Sequence, residues 1–295
     1  MSEVTKSAPV EFAAAAGRIA QRFAELAARS ELGLVAYLTA GDPTLAASEE
    51  IILAAAEAGA DVIELGVPFS DPMADGPIIQ RASERALQSG TTLAGVLSLA
   101  ASVRRKTEVP LVLFSYYNPI LQAGLENFAR STAAAGIDGV LVTDLTPEEA
   151  DEHRAVMRRH GLDTIFLAAP TSTDRRLELI ARATTGFLYL ISRTGVTGVR
   201  DALPEDLPQL VRRVRRVTRL PIAVGFGISL PTHISVPGGI ADAAVVGSAL
   251  VARVETAATP AAAAESVAEL IRSLKSAARE GVSRRASPSG SGHTT

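Results

Sequence analysis

Eight short runs of Val, Ile, Leu and aromatic residues recur along the chain, spaced by roughly the 30 residues of a strand-helix repeat, and this recurrence limits the possible folds most severely. They are LVAYL from Leu34, DVIELGV from Asp61, LVLFSYY from Leu111, GVLVTDL from Gly139, TIFLAAP from Thr164, FLYLIS from Phe187, PIAVGFG from Pro221 and AAVVGSAL from Ala243. Each is nearly continuous in apolar character, as a strand buried on both faces must be. Between them lie segments of helical period such as SEEIILAAAEAGA and ENFARSTAAAGI, several ending in Gly before the next run. The alternation predicts an α/β fold, a (β/α)8 TIM barrel. An open doubly wound sheet is the alternative, but no GxGxxG stands between a strand and a helix to support a dinucleotide fold.

A chain of 295 residues suits one barrel with extensions. Residues 1–280 are expected to form a single catalytic domain, and the small, polar stretch GVSRRASPSGSGHTT, 281–295, a disordered tail. Near the start, Phe12, Ile19, Phe23 and Leu26 share one helical face, predicting an extra N-terminal helix that caps the fold. Glu11 and Glu25, with no long apolar core, argue against a secretory signal, and no apolar run is long enough to cross a bilayer. A net charge of −3 argues against a nucleic-acid partner. The absence of cysteine excludes disulfides and thiol catalysis and suits a cytoplasmic protein. The four histidines show no metal-ligand spacing, so no metal is expected, and His153 with His160 is expected on a solvated helix.

Two places break the repeat. GVPFSDPMADGP after the second run is too rich in Pro, Gly and Asp to continue as helix, and LPTHISVPGGI between the seventh and eighth runs leaves little room for a crossover helix. In a barrel the reacting groups sit at the carboxyl ends of the strands and on the loops that follow. Glu64, inside VIELGV, passes that test, either as a functional carboxylate or as half of a buried ion pair. Asp71 and Asp75 in SDPMADG fit a second acid or ordinary turn chemistry. Barrel phosphate sites lie after the seventh and eighth strands, where this chain has Gly225, Gly227, Gly247 and Ser248. The loop after the sixth run, with Gly195, Thr197 and Gly198, fits a mobile lid or a plain connection.

The strings ELGVPFSDPMADGPIIQ, SYYNPI, VLVTDL, SRTGVTG, GFGIS and VVGSALV, in this order, resemble tryptophan synthase alpha chains over about Leu34 to Val251. The resemblance implies a lyase that cleaves indole-3-glycerol phosphate to indole and glyceraldehyde 3-phosphate in the last steps of tryptophan biosynthesis. It assigns Glu64 as general acid and base and Asp75 as acceptor for the indole N1–H. Tyr37, Ile79, Phe114, Leu141 and Phe226 would wall the indole, Tyr189 would line the same pocket, and Thr197 would meet the catalytic aspartate from the lid. Gly198, Gly227, Gly247 and Ser248 would cradle the phosphate. No cofactor is expected on this chain. Pyridoxal phosphate belongs to a beta subunit, the partner in an expected αββα tetramer faced by Pro68, Asp71 and Asn118. Tyr37 departs from a phenylalanine common in relatives and brings a hydroxyl that needs a partner or water. The same fold would suit a sugar-phosphate isomerase, which Glu64 with SDPMADG disfavours. It would also suit a catalytically idle activator of the beta subunit, against which intact Glu64 and Asp75 argue.

Overall fold

The apolar runs become strands in a computed structural model that describes residues 17–191, 207–225, 227, 230–235 and 239–286. They are β1 (Gly33–Thr39), β2 (Val62–Gly66), β3 (Leu111–Ser115), β4 (Gly139–Val142), β5 (Asp163–Ile165), β6 (Leu167–Ala168), β7 (Leu188–Ile191), β8 (Ile222–Gly225) and β9 (Ala243–Val246). Every pairing is parallel, in the order β5-β4-β3-β2-β1-β9-β8-β7-β6. The two end strands are one run divided at Phe166: β5 pairs with β4, and β6 pairs with β7. The run from Thr164 is therefore a single stave whose halves bond to opposite neighbours. The Phe166 carbonyl itself accepts from the Tyr189 N–H at 3.3 Å. The sheet closes as a barrel, and the open doubly wound alternative falls.

Helices cover the outside: α1 (Arg18–Ala28), α2 (Leu45–Glu57), α3 (Pro77–Gln88), α4 (Leu93–Arg104), α5 (Tyr117–Ala123), α6 (Leu125–Ala134), α7 (Asp151–Arg159), α8 (Asp174–Ala183), α9 (Leu207–Arg215), α10 (Ser248–Thr256) and α11 (Pro260–Ala286). Their starts follow capping chemistry, with the Thr44, Thr92 and Thr173 hydroxyls accepting N–H groups in the first turns of α2, α4 and α8. Pro77 opens α3, where no intrahelical N–H is needed. Between β8 and β9 the described residues form a 3-10 turn, Pro231–Ser235, and no crossover helix. The last helix runs on to Ala286, past Gly281. Its Ala- and Arg-rich stretch has the propensity to continue a helix that tertiary packing has already started.

Alternation along the strands sorts residues into two cores. Outward positions such as Leu34, Ile63, Leu111 and Val140 pack under the helices. Inward positions, including Val35, Val62, Val112, Leu141, Ile165 and Ala223, fill the barrel. From beneath, α1 closes the amino-terminal end with Ile19, Phe23 and Leu26, and Phe23 meets Phe187 at 5.6 Å between ring centroids. This is the capping helix the sequence predicts. Phe12 lies outside the described residues.

A side chain before one strand repeatedly accepts an N–H from the first two residues of the strand before it. Asp61 does so for Leu34, Asp138 for Leu111, Thr185 for Thr164 and Asp242 for Ile222. The supported strands alternate around the barrel, and each bond satisfies a backbone donor at its amino-terminal rim. Asp61 is also held at 2.6 Å by the buried Lys275 ammonium, which ties α11 to β2.

His153 corrects an expectation. It sits on α7 but is buried with Val156 and Met157, its ring edge-on to Tyr117 at 5.8 Å. Burial holds its pKa down at about 4, so it is a neutral core histidine. His160 instead pairs with Glu126 at 2.7 Å.

Candidate active site at the carboxyl end of the barrel

Above the apolar layer of Val35, Val62 and Val112, the next inward residues toward the carboxyl ends are Tyr37, Glu64 and Phe114. Glu64 is fully buried, and neither carboxylate oxygen has a hydrogen-bond partner among the described residues. Burial alone pushes its pKa from 4.5 to about 8. The ion-pair reading of Glu64 therefore fails: no described cation compensates it.

The loop after β2 brings in the second acid. Asp75 is 9% exposed, and Tyr116 Oη donates to its Oδ2 at 3.1 Å. Burial raises the Asp75 pKa to about 6, and the Tyr116 hydrogen bond works against that rise. Tyr116 is itself placed by accepting the Ala74 N–H at 2.9 Å and by packing on Phe69 at 5.1 Å. Its motif, SYYNPI, drew attention only to Asn118; an aromatic at a strand end reads as core until the loop is seen folding over it. Glu64 and Asp75 lie near the same two phenols, since the charges of both act on Tyr37 and on Tyr189. Burial, then those charges, keeps both phenols protonated well above their ordinary range.

The remaining candidates are placed as follows. Tyr37 and Phe114 meet edge-on at 5.2 Å, and Tyr37, Ile79, Ala82 and Val251 form a small apolar cluster. Leu141 is buried in the barrel interior. Gly247 caps α10 without a side-chain bond and Ser248 begins it, so that helix presents a free N-terminus at the barrel mouth. Gly227 has φ +70°, a conformation glycine adopts freely. Thr197, Gly198 and Phe226 lie outside the described residues. Asp71 and Asn118 are exposed, as partner-facing positions require, whereas Pro68 is buried within this chain, so the outward part of the loop begins after it.

Charged pairs brace the elements around the site. Arg85 on α3 pairs with Asp42 after β1 and with Glu255 on α10, while Arg81 also grips Glu255. Asp42 and Glu255 thus lock the helix that follows the Asp75 loop to the helix that starts at Gly247.

A cavity of about 850 Å3 opens at the opposite end, between α1 and the starts of β5, β8 and β9. Neither Glu64 nor Asp75 lines it. The buried carboxylate without a partner among the described residues, Glu64, lies at the carboxyl end, the end at which barrel enzymes carry their reacting groups. Among the described residues no cluster of His, Asp and Glu is arranged for a metal.

The family model for the tryptophan synthase alpha chain matches residues 23–279. The chain belongs to that family. It is 54% identical over 258 residues to the tryptophan synthase alpha chain of Solibacter usitatus, covering 88% of this chain and 97% of that one. It is 53% identical to the Geobacter sulfurreducens alpha chain, covering 79% and 89%. A Mycobacterium tuberculosis tryptophan synthase structure superposes with TM-score 0.83 at 37% identity, covering 90% of this chain and 99% of that chain. A tryptophan synthase alpha-chain lyase is the subunit that cleaves indole-3-glycerol phosphate, and the family is itself cofactor-free. An alpha chain implies a beta-chain partner. Among the described residues no single helix is long and apolar enough to cross a membrane.

Proposed function

We propose that Glu64 and Asp75 divide the cleavage of indole-3-glycerol phosphate between them. Breaking the bond from indole C3 to the glycerol chain needs a proton on C3, an acceptor for the hydroxyl proton of the adjacent side-chain carbon, and stabilisation of the positive charge that grows on the ring nitrogen. With its pKa near 8, Glu64 starts protonated at neutral pH. It gives that proton to C3, and the resulting carboxylate takes the hydroxyl proton as the carbon–carbon bond breaks. Indole and glyceraldehyde 3-phosphate leave, and Glu64 ends as it began. Asp75, with its pKa near 6, is ionised at the same pH and accepts the hydrogen bond from N1–H. The single observation that carries this reading is a fully buried, unpaired Glu64 near the same two phenols as a more acidic Asp75.

In the same reading Tyr37, Ile79, Phe114, Leu141 and Phe226 wall the ring, and Tyr189 lines the pocket. Gly198, Gly227, Gly247 and Ser248 receive the phosphate, helped by the free start of α10. Thr197 closes over Asp75. Asp71 and Asn118 face a beta chain that carries pyridoxal phosphate, in a cytoplasmic αββα assembly. The exposed Met73 in the Asp75 loop and Leu121 on α5 are the apolar surface such a partner would cover.

The test is indole release from indole-3-glycerol phosphate, with and without a tryptophan synthase beta chain. Glu64→Gln should abolish cleavage, and Asp75→Asn should lower it by about 100-fold or more. Full activity in Glu64→Gln would refute the assignment.

A further inference from the structure

A second hydroxyl stands beside the acid that moves the proton. Tyr37 on β1 is in register with Glu64 on β2, and both point inward, two residues beyond the inward pair Val35 and Val62. The Tyr37 ring leans across onto β2. A Cβ at Gly66 would lie 2.2 Å from Tyr37 Oη, so the hydroxyl fills the space that glycine leaves, on the next inward position after Glu64. Gly66 also ends β2, from which the chain leads into the Asp75 loop. Oη is thus seated over β2, one inward position beyond Glu64 and toward the carboxyl end. The Thr39 hydroxyl, two residues on, is buried close enough to Tyr37 to work against the rise of its pKa, although the pair falls short of hydrogen-bonding geometry.

We propose that the Tyr37 hydroxyl, seated by Gly66, is a positioning donor that hydrogen-bonds the Glu64 carboxylate during the interval when the Glu64 proton is on the substrate ring. This rests on the proposed acid and base role of Glu64. Without the donor, the transient carboxylate would be an unpaired charge in a dry cavity, the costliest state on the path. The other described titratable groups facing Glu64 are Tyr189 from β7 and Asp75 from the loop; β3 offers only Val112 and Phe114. Asp75 repels a carboxylate and cannot donate while ionised. Tyr189 also feels the Glu64 charge, but its hydroxyl is seated over Gly225 of β8, where a Cβ would lie 2.8 Å from it. Tyr37 is the phenol in register with Glu64.

A donor to the ionised form lowers a carboxyl pKa, so removing it must raise the Glu64 pKa further. In the complex with a beta chain, Tyr37→Phe should lower kcat by about tenfold with little change in KM, and move the alkaline limb of the kcat profile up by about one pH unit, the scale of one hydrogen bond to a charged group. Gly66→Ala, which expels the hydroxyl while keeping the tyrosine, should do the same. Infrared titration of the Glu64 carboxyl, identified by its absence in Glu64→Gln, reads the same shift without turnover. A Tyr37→Phe variant that changes KM alone, with the limb and the infrared titration unmoved, would make Tyr37 a passive wall and overturn the proposal. If the wild-type complex released no indole, the function assignment would fall, and the infrared titration would still decide the Tyr37 contact.

Discussion

Replacing Glu64 by glutamine should stabilise this protein at alkaline pH, although the proposed cleavage depends on the glutamate. In the unfolded chain Glu64 titrates at its ordinary value of 4.5, and in the fold at about 8, for no reason other than burial. A folded-state pKa above the unfolded one means that the folded protein prefers the protonated acid. The associated stability is fully present below about 4.5, is lost as pH rises, and is gone above about 8. At 1.36 kcal/mol per unit the gap corresponds to ~5 kcal/mol, a ceiling that water entry and loop relaxation reduce to ~2–4 kcal/mol. Glutamine has the same shape and never ionises, so it escapes the loss.

Urea unfolding of wild type and Glu64→Gln across the pH range checks this. Asp75, His153 and every other titrating group occur in both proteins, so the difference between their stabilities isolates Glu64. It should be small near pH 4.5, widen by up to ~1.4 kcal/mol per pH unit, and flatten above pH 8. A difference that stays constant over this window would show that Glu64 is solvated or paired, and would refute both its dry setting and the acid role built on it.

The rate profile should be bell-shaped, because Asp75 must be ionised and Glu64 protonated: kcat rises as pH passes about 6 and falls through about 8. A rate unchanged between pH 7 and 9.5 would contradict this. Tyr116→Phe removes the hydroxyl that donates to Asp75, so the Asp75 pKa should rise and the acid limb move up by about one pH unit, with the alkaline limb unmoved. If neither limb moved, Tyr116 would be packing alone. Lys275→Ala leaves Asp61 buried without its ammonium and should cost ~3 kcal/mol in urea unfolding. A loss below ~1 kcal/mol would show that the Leu34 N–H and the more distant Arg22 suffice for Asp61.

The staves of the barrel were legible because continuous apolar character is the direct imprint of burial on two faces. The closure through Phe166 was not, since a strand whose halves bond to opposite neighbours has the same composition as an unbroken one. Glu64 announced itself as an acid inside an apolar strand. Tyr116 did not: its value lies in a contact with Asp75, 41 residues away in sequence. His153 was misread although a usable signal existed, since His153, Val156 and Met157 have the i, i+3, i+4 spacing of a buried helical face. The charged residues around it hid that face. The acceptors at the amino-terminal rim, Asp61, Asp138 and Asp242, look like ordinary turn residues until the pairing of each with the preceding strand is known.

Glycine carries two meanings in this chain, and only one is visible in sequence. Gly227 and Gly247 stand where the backbone turns after β8 and β9, which the loop pattern suggests. Gly66 and Gly225 do something else. An eight-stranded barrel is filled to the axis by its inward side chains, so a hollow at one end exists only where side chains have been left out. A Cβ at Gly66 would meet Tyr37 Oη at 2.2 Å, and one at Gly225 would meet Tyr189 Oη at 2.8 Å. In each case the missing methyl is the seat of a phenol from the neighbouring strand. At the amino-terminal end the room left by Gly33 and Gly139 is taken by α1 instead, whose Leu26 and Ile19 lie 3.0 and 3.2 Å from where a Cβ would stand. Glu64 therefore sits between an apolar floor, whose burial raises its pKa, and two phenols that are each seated over a glycine of a neighbouring strand.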